Sequence, residues 1–88
     1  MSTKFDKFYT IIPNSVIQYW LPKLNDYQFR MLIALYFYDE ISEENSQELL
    51  GIPQNMFSAT YLSLQTIGAL VGLDFSIIID GVKYDFSK

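Results

Sequence analysis

The side chains of this 88-residue sequence that could do chemistry are mainly carboxylates, and five of them lie close together. They are Asp39, Glu40, Glu43, Glu44 and Glu48. Such a cluster could hold a hard cation, but a calcium loop needs oxygen ligands at alternate positions and a glycine at the bend. The spacing here provides neither. We therefore expect a solvated, acidic helix end, and we predict no metal site and no cofactor.

A second candidate is the polar segment formed by Gln54, Asn55 and Ser58. Its two amides could pair with the edge of adenine in the major groove of DNA. Sequence-specific binding also needs cations that hold the phosphates. The 52 residues between Arg30 and Lys83 contain no Lys or Arg and seven acidic residues. We therefore interpret this segment as the exposed start of a helix, and we do not expect DNA to bind there.

Catalysis by the usual groups is not expected, because the sequence contains no histidine and no cysteine. No nucleophile stands beside a base, and no glycine-rich phosphate loop is present. The longest apolar run, residues 31–38, is far shorter than the roughly 20 residues that span a bilayer. The first residues lack the apolar region of a signal peptide. We therefore expect one non-enzymatic, cytoplasmic domain without a membrane partner.

Four helices followed by a hairpin are the elements that the sequence predicts. Asn14, Asn25 or Asp26, and Ser42 are suitable residues to begin helices. Gly51 and Gly68 are suitable to end them. The predicted helices cover residues 14–21, 26–38, 42–50 and 54–67.

The hydrophobic pattern changes from helical to strand-like after residue 68. Val71 to Ile79 is rich in β-branched and aromatic residues, and Asp80–Gly81 is a strong signal for a type I′ turn. Apolar and polar residues alternate over 82–87. The chain is therefore predicted to end in a β-hairpin.

The second helix is apolar on two faces, which indicates a central position or a second partner. The stripe predicted to face the core consists of Phe29, Leu32, Ile33, Tyr36 and Phe37. The opposite face, predicted to meet the N-terminal segment or another subunit, consists of Met31, Ala34, Leu35 and Tyr38. In the fourth helix, Phe57 and Leu64 are predicted to be buried. The aromatic residues Phe5, Phe8 and Tyr9 are expected to dock on the body.

This order of elements resembles the winged helix-turn-helix. In that family a capping Ser or Thr opens the helix that corresponds to the third predicted helix of this chain (42–50). Leu-Gly-Ile closes that helix, and a polar pair begins the recognition helix. The matching positions here are Ser42, Leu50–Gly51–Ile52 and Gln54–Asn55. The family has Leu-Ala where this chain has Ser46–Gln47, so we expect the helix to be anchored differently. The resemblance implies a mainly α winged-helix domain over residues 1–88, with an extension (1–12), helices (13–67) and a wing hairpin (69–86).

The segment from Phe8 to Ile17 is similar to the lead-in of a narrower group. These are the N-terminal domains of phage and plasmid replication initiators and of DnaD-type replisome organisers. In such proteins the winged helix binds DNA or mediates self-association. The resemblance therefore implies a setting in phage or plasmid replication, or in the inhibition of a host nucleic-acid-handling enzyme.

Our first hypothesis for function is a protein-interaction module. It would bind a basic partner through Glu43, Glu44 and Glu48, or pair subunits as a dimer through Met31, Leu35 and Tyr38. The alternative is a DNA-binding replication initiator or transcription regulator. That protein would have to use a basic patch formed by Lys4, Lys7, Lys23 and Arg30. A third hypothesis is a fragment whose larger parent carries the function.

Overall fold

The computed structural model describes residues 11–86 as a small mixed α/β domain. The predicted docking of Phe5, Phe8 and Tyr9, and the positions of Lys4 and Lys7, lie outside these residues. Helices and a three-stranded sheet form the described part. In chain order the elements are α1 (Asn14–Trp20), α2 (Asp26–Phe37), β1 (Glu40–Ser42), α3 (Ser46–Leu50), α4 (Gln54–Thr66), β2 (Phe75–Ile79) and β3 (Val82–Phe86).

Helix α2 begins with a reciprocal pair of hydrogen bonds. The Gln28 backbone N–H donates to Asn25 Oδ1 at 2.8 Å, and the Asn25 backbone N–H donates to Gln28 Oε1 at 2.9 Å. This capping box satisfies two N–H groups at the start of the helix. Gln28 Nε2 also donates to Ser63 Oγ at 2.9 Å, which ties α2 to α4. The helix start that the sequence predicted at Asn25 is thus confirmed.

The sheet has the strand order β1-β2-β3, with β1 parallel to β2 and β2 antiparallel to β3. The predicted turn at Asp80–Gly81 is confirmed, because both residues have positive φ angles, 54° and 74°. Glycine adopts this conformation readily, and aspartate is one of the few other residues that tolerates it. The hairpin therefore forms where the sequence predicted it.

Helices α2 and α4 and the inner face of the sheet enclose one hydrophobic core. Phe57 and Leu64 are buried, as predicted. Gly51 ends α3 in the left-handed conformation with φ 71°, also as predicted. The buried apolar side chains are Met31, Leu32, Ala34, Leu35, Ile41, Leu50, Ile52, Phe57, Tyr61, Leu64, Ala69, Leu70, Phe75 and Ile77.

Strand β1 was not predicted, and the predicted start of α3 at Ser42 was therefore wrong. Ser42 does not cap a helix but ends β1, opposite Ile78 of β2. The helix begins at Ser46, whose side chain is fully buried and donates to the Ile52 carbonyl oxygen at 2.8 Å. The helix is therefore anchored by a polar contact where the resembling family has Leu-Ala. With β1 in the sheet, the domain is mixed α/β rather than mainly α.

Three smaller boundary predictions were also wrong. Asn14 is the first residue of α1 rather than its cap, and Pro13 takes the cap position. Val71 lies in a turn and is exposed, so β2 begins only at Phe75. Helices α1, α2 and α4 end one residue earlier than predicted.

The assignment of the two apolar faces of α2 was wrong for most residues, although Leu32 is buried as predicted. In the predicted self-association face, Met31 and Leu35 have no exposed surface and belong to the core, whereas Tyr38 is half-buried. Phe37, predicted to be buried, is 39% exposed. Periodicity shows that a helix has two apolar faces, but the packing of α4 and β1 decides which of them is covered.

Candidate protein-interaction surface

The half-buried and exposed apolar residues of α2 line an open groove between α2 and α3. It has a volume of about 400 Å³. On α2, Phe29, Ile33 and Phe37 are spaced four residues apart, so they lie along one side of the helix. On α3, Leu49 is 43% exposed. We define the α2–α3 groove as Phe29, Arg30, Ile33, Ala34, Phe37, Tyr38, Leu49 and Leu50.

The predicted acidic face is only partly available to a partner. Glu44 and Glu48 are exposed. Glu43 is half-buried, and its Oε1 accepts a hydrogen bond from the Asp80 backbone N–H at 3.2 Å. Its own N–H donates to the Ile78 carbonyl oxygen at 2.9 Å. Glu43 therefore links the segment between β1 and α3 to the hairpin turn. The prediction that Glu43, Glu44 and Glu48 are all exposed was wrong for Glu43.

Acidic residues are the sequence neighbours of two residues that line the α2–α3 groove. Glu48 directly precedes Leu49 on α3, and Asp39 directly follows Tyr38 at the end of α2. Arg30 lines the groove, but its Nη1 donates to the Gly51 carbonyl oxygen at 3.1 Å. A ligand in the groove would therefore meet mainly apolar side chains together with Arg30, and acidic residues occupy the adjoining sequence positions.

The polar segment of α4 is placed largely as predicted. Gln54 and Asn55 are exposed at the start of the helix. Ser58 is half-buried and lies instead at the edge of a second apolar groove, between α4 and the hairpin. Leu62, 55% exposed, and Tyr84 also line that groove. The α4 surface therefore combines amides with apolar side chains and carries no cation.

Each lysine or arginine within residues 11–86 has a partner inside the fold. Lys23 Nζ donates to the Tyr19 carbonyl oxygen at 3.4 Å and lies 4.1 Å from the centre of the Tyr19 ring. Lys83 pairs with Glu40 at 3.3 Å between Nζ and Oε1. Arg30 holds the Gly51 carbonyl, as described above. The predicted basic patch is thus represented here only by Lys23 and Arg30, and each makes a local contact.

Two tyrosines of the described range are affected by burial. Burial raises the pKa of the Tyr36 and Tyr61 phenols above the usual value near 10. The Tyr61 hydroxyl has no hydrogen-bond partner within residues 11–86.

Within residues 11–86 no group of three or more potential ligands could hold a metal ion. None of the helices described is long and apolar enough to cross a membrane.

The groove was missed because Phe29, Ile33 and Phe37 were assigned to the core. The available signal was that α2 is apolar on both sides, which requires a second contact surface whichever side is buried. Leu49 received no role in the sequence analysis because α3 was expected to start at Ser42. No protein-family model matches the chain, and no curated protein or solved structure is significantly similar to it.

Proposed function

We propose that this protein is a non-catalytic interaction module that binds a basic, amphipathic helix of a protein partner in the α2–α3 groove. The observation that supports this most directly is the apolar stripe of half-buried Phe29 and Ile33 and exposed Phe37, which lines one groove with exposed Leu49. Grooves of this kind accept an amphipathic helix through apolar residues spaced three and four apart. The neighbouring acids favour cations on the polar side of that helix.

We also propose that the domain is a winged helix whose surface has been adapted to protein binding. Its support is the order α2, α3, left-handed Gly51, α4 and hairpin, together with the exposed Gln54 and Asn55 at the start of α4. We infer a cytoplasmic location, with phage or plasmid replication, or inhibition of a host nucleic-acid-handling enzyme, as the setting. That setting is supported only by the lead-in from Phe8 to Ile17.

The first test uses two synthetic helical peptides of equal length. Both carry leucines at positions i, i+3, i+4 and i+7, and their polar positions are lysine in one and glutamate in the other. Fluorescence anisotropy measures binding of each labelled peptide to the full chain. We expect only the lysine peptide to bind, and more weakly as salt rises, because acids border the groove. Equal binding of both peptides would contradict the charge assignment.

Two exposed leucines provide a matched pair of variants for the binding site. Leu49 lines the α2–α3 groove, and Leu62 lies on α4. Leu49→Ala should weaken binding of the lysine peptide about tenfold, which corresponds to about 1.4 kcal/mol of lost apolar contact. Leu62→Ala should leave it unchanged. An equal loss in both variants would show that the peptide does not occupy the groove.

Charge reversal tests the acidic border separately. Glu44→Lys and Glu48→Lys should weaken binding of the lysine peptide while leaving the melting temperature nearly unchanged, because both side chains are exposed. Glu43→Lys should lower the melting temperature, because Glu43 braces the hairpin turn. A Glu44→Lys/Glu48→Lys variant that binds the lysine peptide as tightly as the parent would exclude these acids from the interface.

Titration with duplex DNA at physiological salt tests the alternative function. We expect no binding through α4, because DNA affinity depends on cations that neutralise phosphates. Submicromolar binding by the parent that is lost on changing Gln54 and Asn55 to alanine would favour a DNA-binding regulator over an interaction module.

A further inference from the structure

Strand β3 lies at one edge of the sheet, and its opposite charges, Lys83 and Asp85, are placed symmetrically on either side of Tyr84. Within residues 11–86 it pairs only with β2, so its other edge is open. All of its residues except Phe86 are exposed, including Val82 at 50% and Tyr84 at 47%. An open edge presents backbone N–H and C=O groups that can pair with another strand.

The hydrogen bonds of β2 determine which groups of β3 point outward. The Ser76 N–H and the Ile78 carbonyl bond toward the β1 side of the sheet. Phe75, Ile77 and Ile79 therefore direct their backbone groups toward β3, where they face Phe86, Tyr84 and Val82. Backbone groups alternate in direction along a strand. The N–H and C=O groups of Lys83 and Asp85 consequently point to the open edge.

We propose that two copies of this chain pair through β3 as an antiparallel dimer, with the two-fold axis at Tyr84. In this register Lys83 lies opposite Asp85 of the second copy, and their outward backbone groups form the hydrogen-bonded pairs. The same register places Val82 opposite Phe86 and Tyr84 opposite Tyr84. Both ion pairs lie on the outer face of the joined sheet, and all the apolar pairs lie on its inner face.

This register satisfies charge, hydrophobicity and hydrogen bonding together. Opposite charges placed directly across two strands stabilise the pair, and like charges destabilise it. A one-residue shift would place polar side chains opposite apolar ones and would misalign the outward backbone groups. The two-fold axis also uses both open β3 edges, so the assembly closes as a dimer rather than growing into a fibre. The dimer does not depend on the α2–α3 groove.

Charge exchange tests the register. Lys83→Asp places aspartate opposite Asp85, and Asp85→Lys places lysine opposite Lys83, so each variant alone should dimerise at least about fivefold more weakly than the parent. An equimolar mixture of the two variants should form a heterodimer, because both cross-strand pairs are then of opposite charge. Sedimentation velocity over concentrations up to about 1 mM would detect even the weak association typical of a small interface.

Melting temperatures of the two variants control for effects on folding, since Lys83 also pairs with Glu40 and Asp85 accepts a hydrogen bond from Ser76. The equimolar mixture is an independent control, because each chain in it still carries its own substitution and any effect of that substitution on folding. A parent that stays monomeric, or variants that dimerise as well alone as when mixed, would overturn the proposal.

Amide hydrogen exchange identifies what covers the edge. The Lys83 and Asp85 amides should be protected only at concentrations where the dimer forms. Protection that persists in the dilute monomer would show that another part of the same chain occupies the edge, and would also overturn the proposal. Asp85→Pro gives a further check, because it removes an outward N–H and no backbone hydrogen bond to β2; Asp85→Ala, which also loses the side-chain bond from Ser76 but keeps the N–H, is its control. Asp85→Pro should abolish the dimer and leave a folded monomer.

Discussion

Replacing Leu35 with alanine should destabilise the domain strongly, whereas replacing Phe37 should not. Leu35 has no exposed surface, so its truncation leaves a closed cavity and should cost about 2–5 kcal/mol. Phe37 is 39% exposed, and its truncation leaves an opening to solvent rather than a cavity. Full burial of such a side chain contributes about 1.5–3 kcal/mol, so we expect a cost of about 1–2 kcal/mol for Phe37→Ala.

Urea and thermal unfolding followed by circular dichroism measure both variants. A domain of this size is stabilised by roughly 4–13 kcal/mol, so Leu35→Ala should remove a large share of that free energy. Its melting temperature should fall by more than about 10 °C, at about 4–8 °C per kcal/mol. A Phe37→Ala variant that is as unstable as Leu35→Ala would refute the assignment of the two faces, and the α2–α3 groove with it.

Four further variants test the remaining packing and polar contacts. Ser46→Ala leaves the buried Ile52 carbonyl without its donor and should lower the free energy of unfolding by about 1–3 kcal/mol; Ser42→Ala, at the position mistaken for the helix cap, should change it by less than about 0.5 kcal/mol. Leu64→Ala should cost about 2–5 kcal/mol in the same urea titration, and a change in melting temperature of only a few degrees would exclude Leu64 from the core. Tyr61→Phe removes a buried hydroxyl that has no partner within residues 11–86, and should leave stability at pH 7 unchanged or raised. Because burial raises the pKa of Tyr61, the unfolded phenol ionises first as the pH rises above about 10. Between pH 7 and pH 11 the parent should therefore lose stability through Tyr61, and Tyr61→Phe should lose less. Urea titrations at the two pH values that give the same loss for both proteins would contradict this.

Local signals predicted the parts of the fold that depend on backbone chemistry. Helix α2 begins directly after Asn25, Gly51 takes a left-handed conformation, and Asp80–Gly81 forms the hairpin turn. Each of these depends on the intrinsic preferences of one or two residues. The sequence could therefore predict them without knowledge of any distant neighbour.

The missed features depend on contacts between distant parts of the chain. Strand β1 has only three residues, and its register is set by the pairing of Ile41 with Ile77, 36 positions later. With β1 in place, Ser42 belongs to a strand and α3 can begin only after it. The exposure of Phe37 likewise depends on which face of α2 is covered by α4. Periodicity within one segment cannot supply that information.

Within residues 11–86, the contacts of the positive charges support our proposal of a protein partner rather than DNA. Within the described range, Lys23 contacts an aromatic ring, Arg30 donates to a backbone carbonyl, and Lys83 pairs with a carboxylate. A phosphate that recruited Arg30 would compete with the Gly51 carbonyl at the turn that positions α4. Binding energy gained from that phosphate would thus be offset by a loss of stability at α4, the helix that would have to read the bases. A partner that supplies its own cations to Glu44 and Glu48 has no such cost, because both carboxylates are already at the surface.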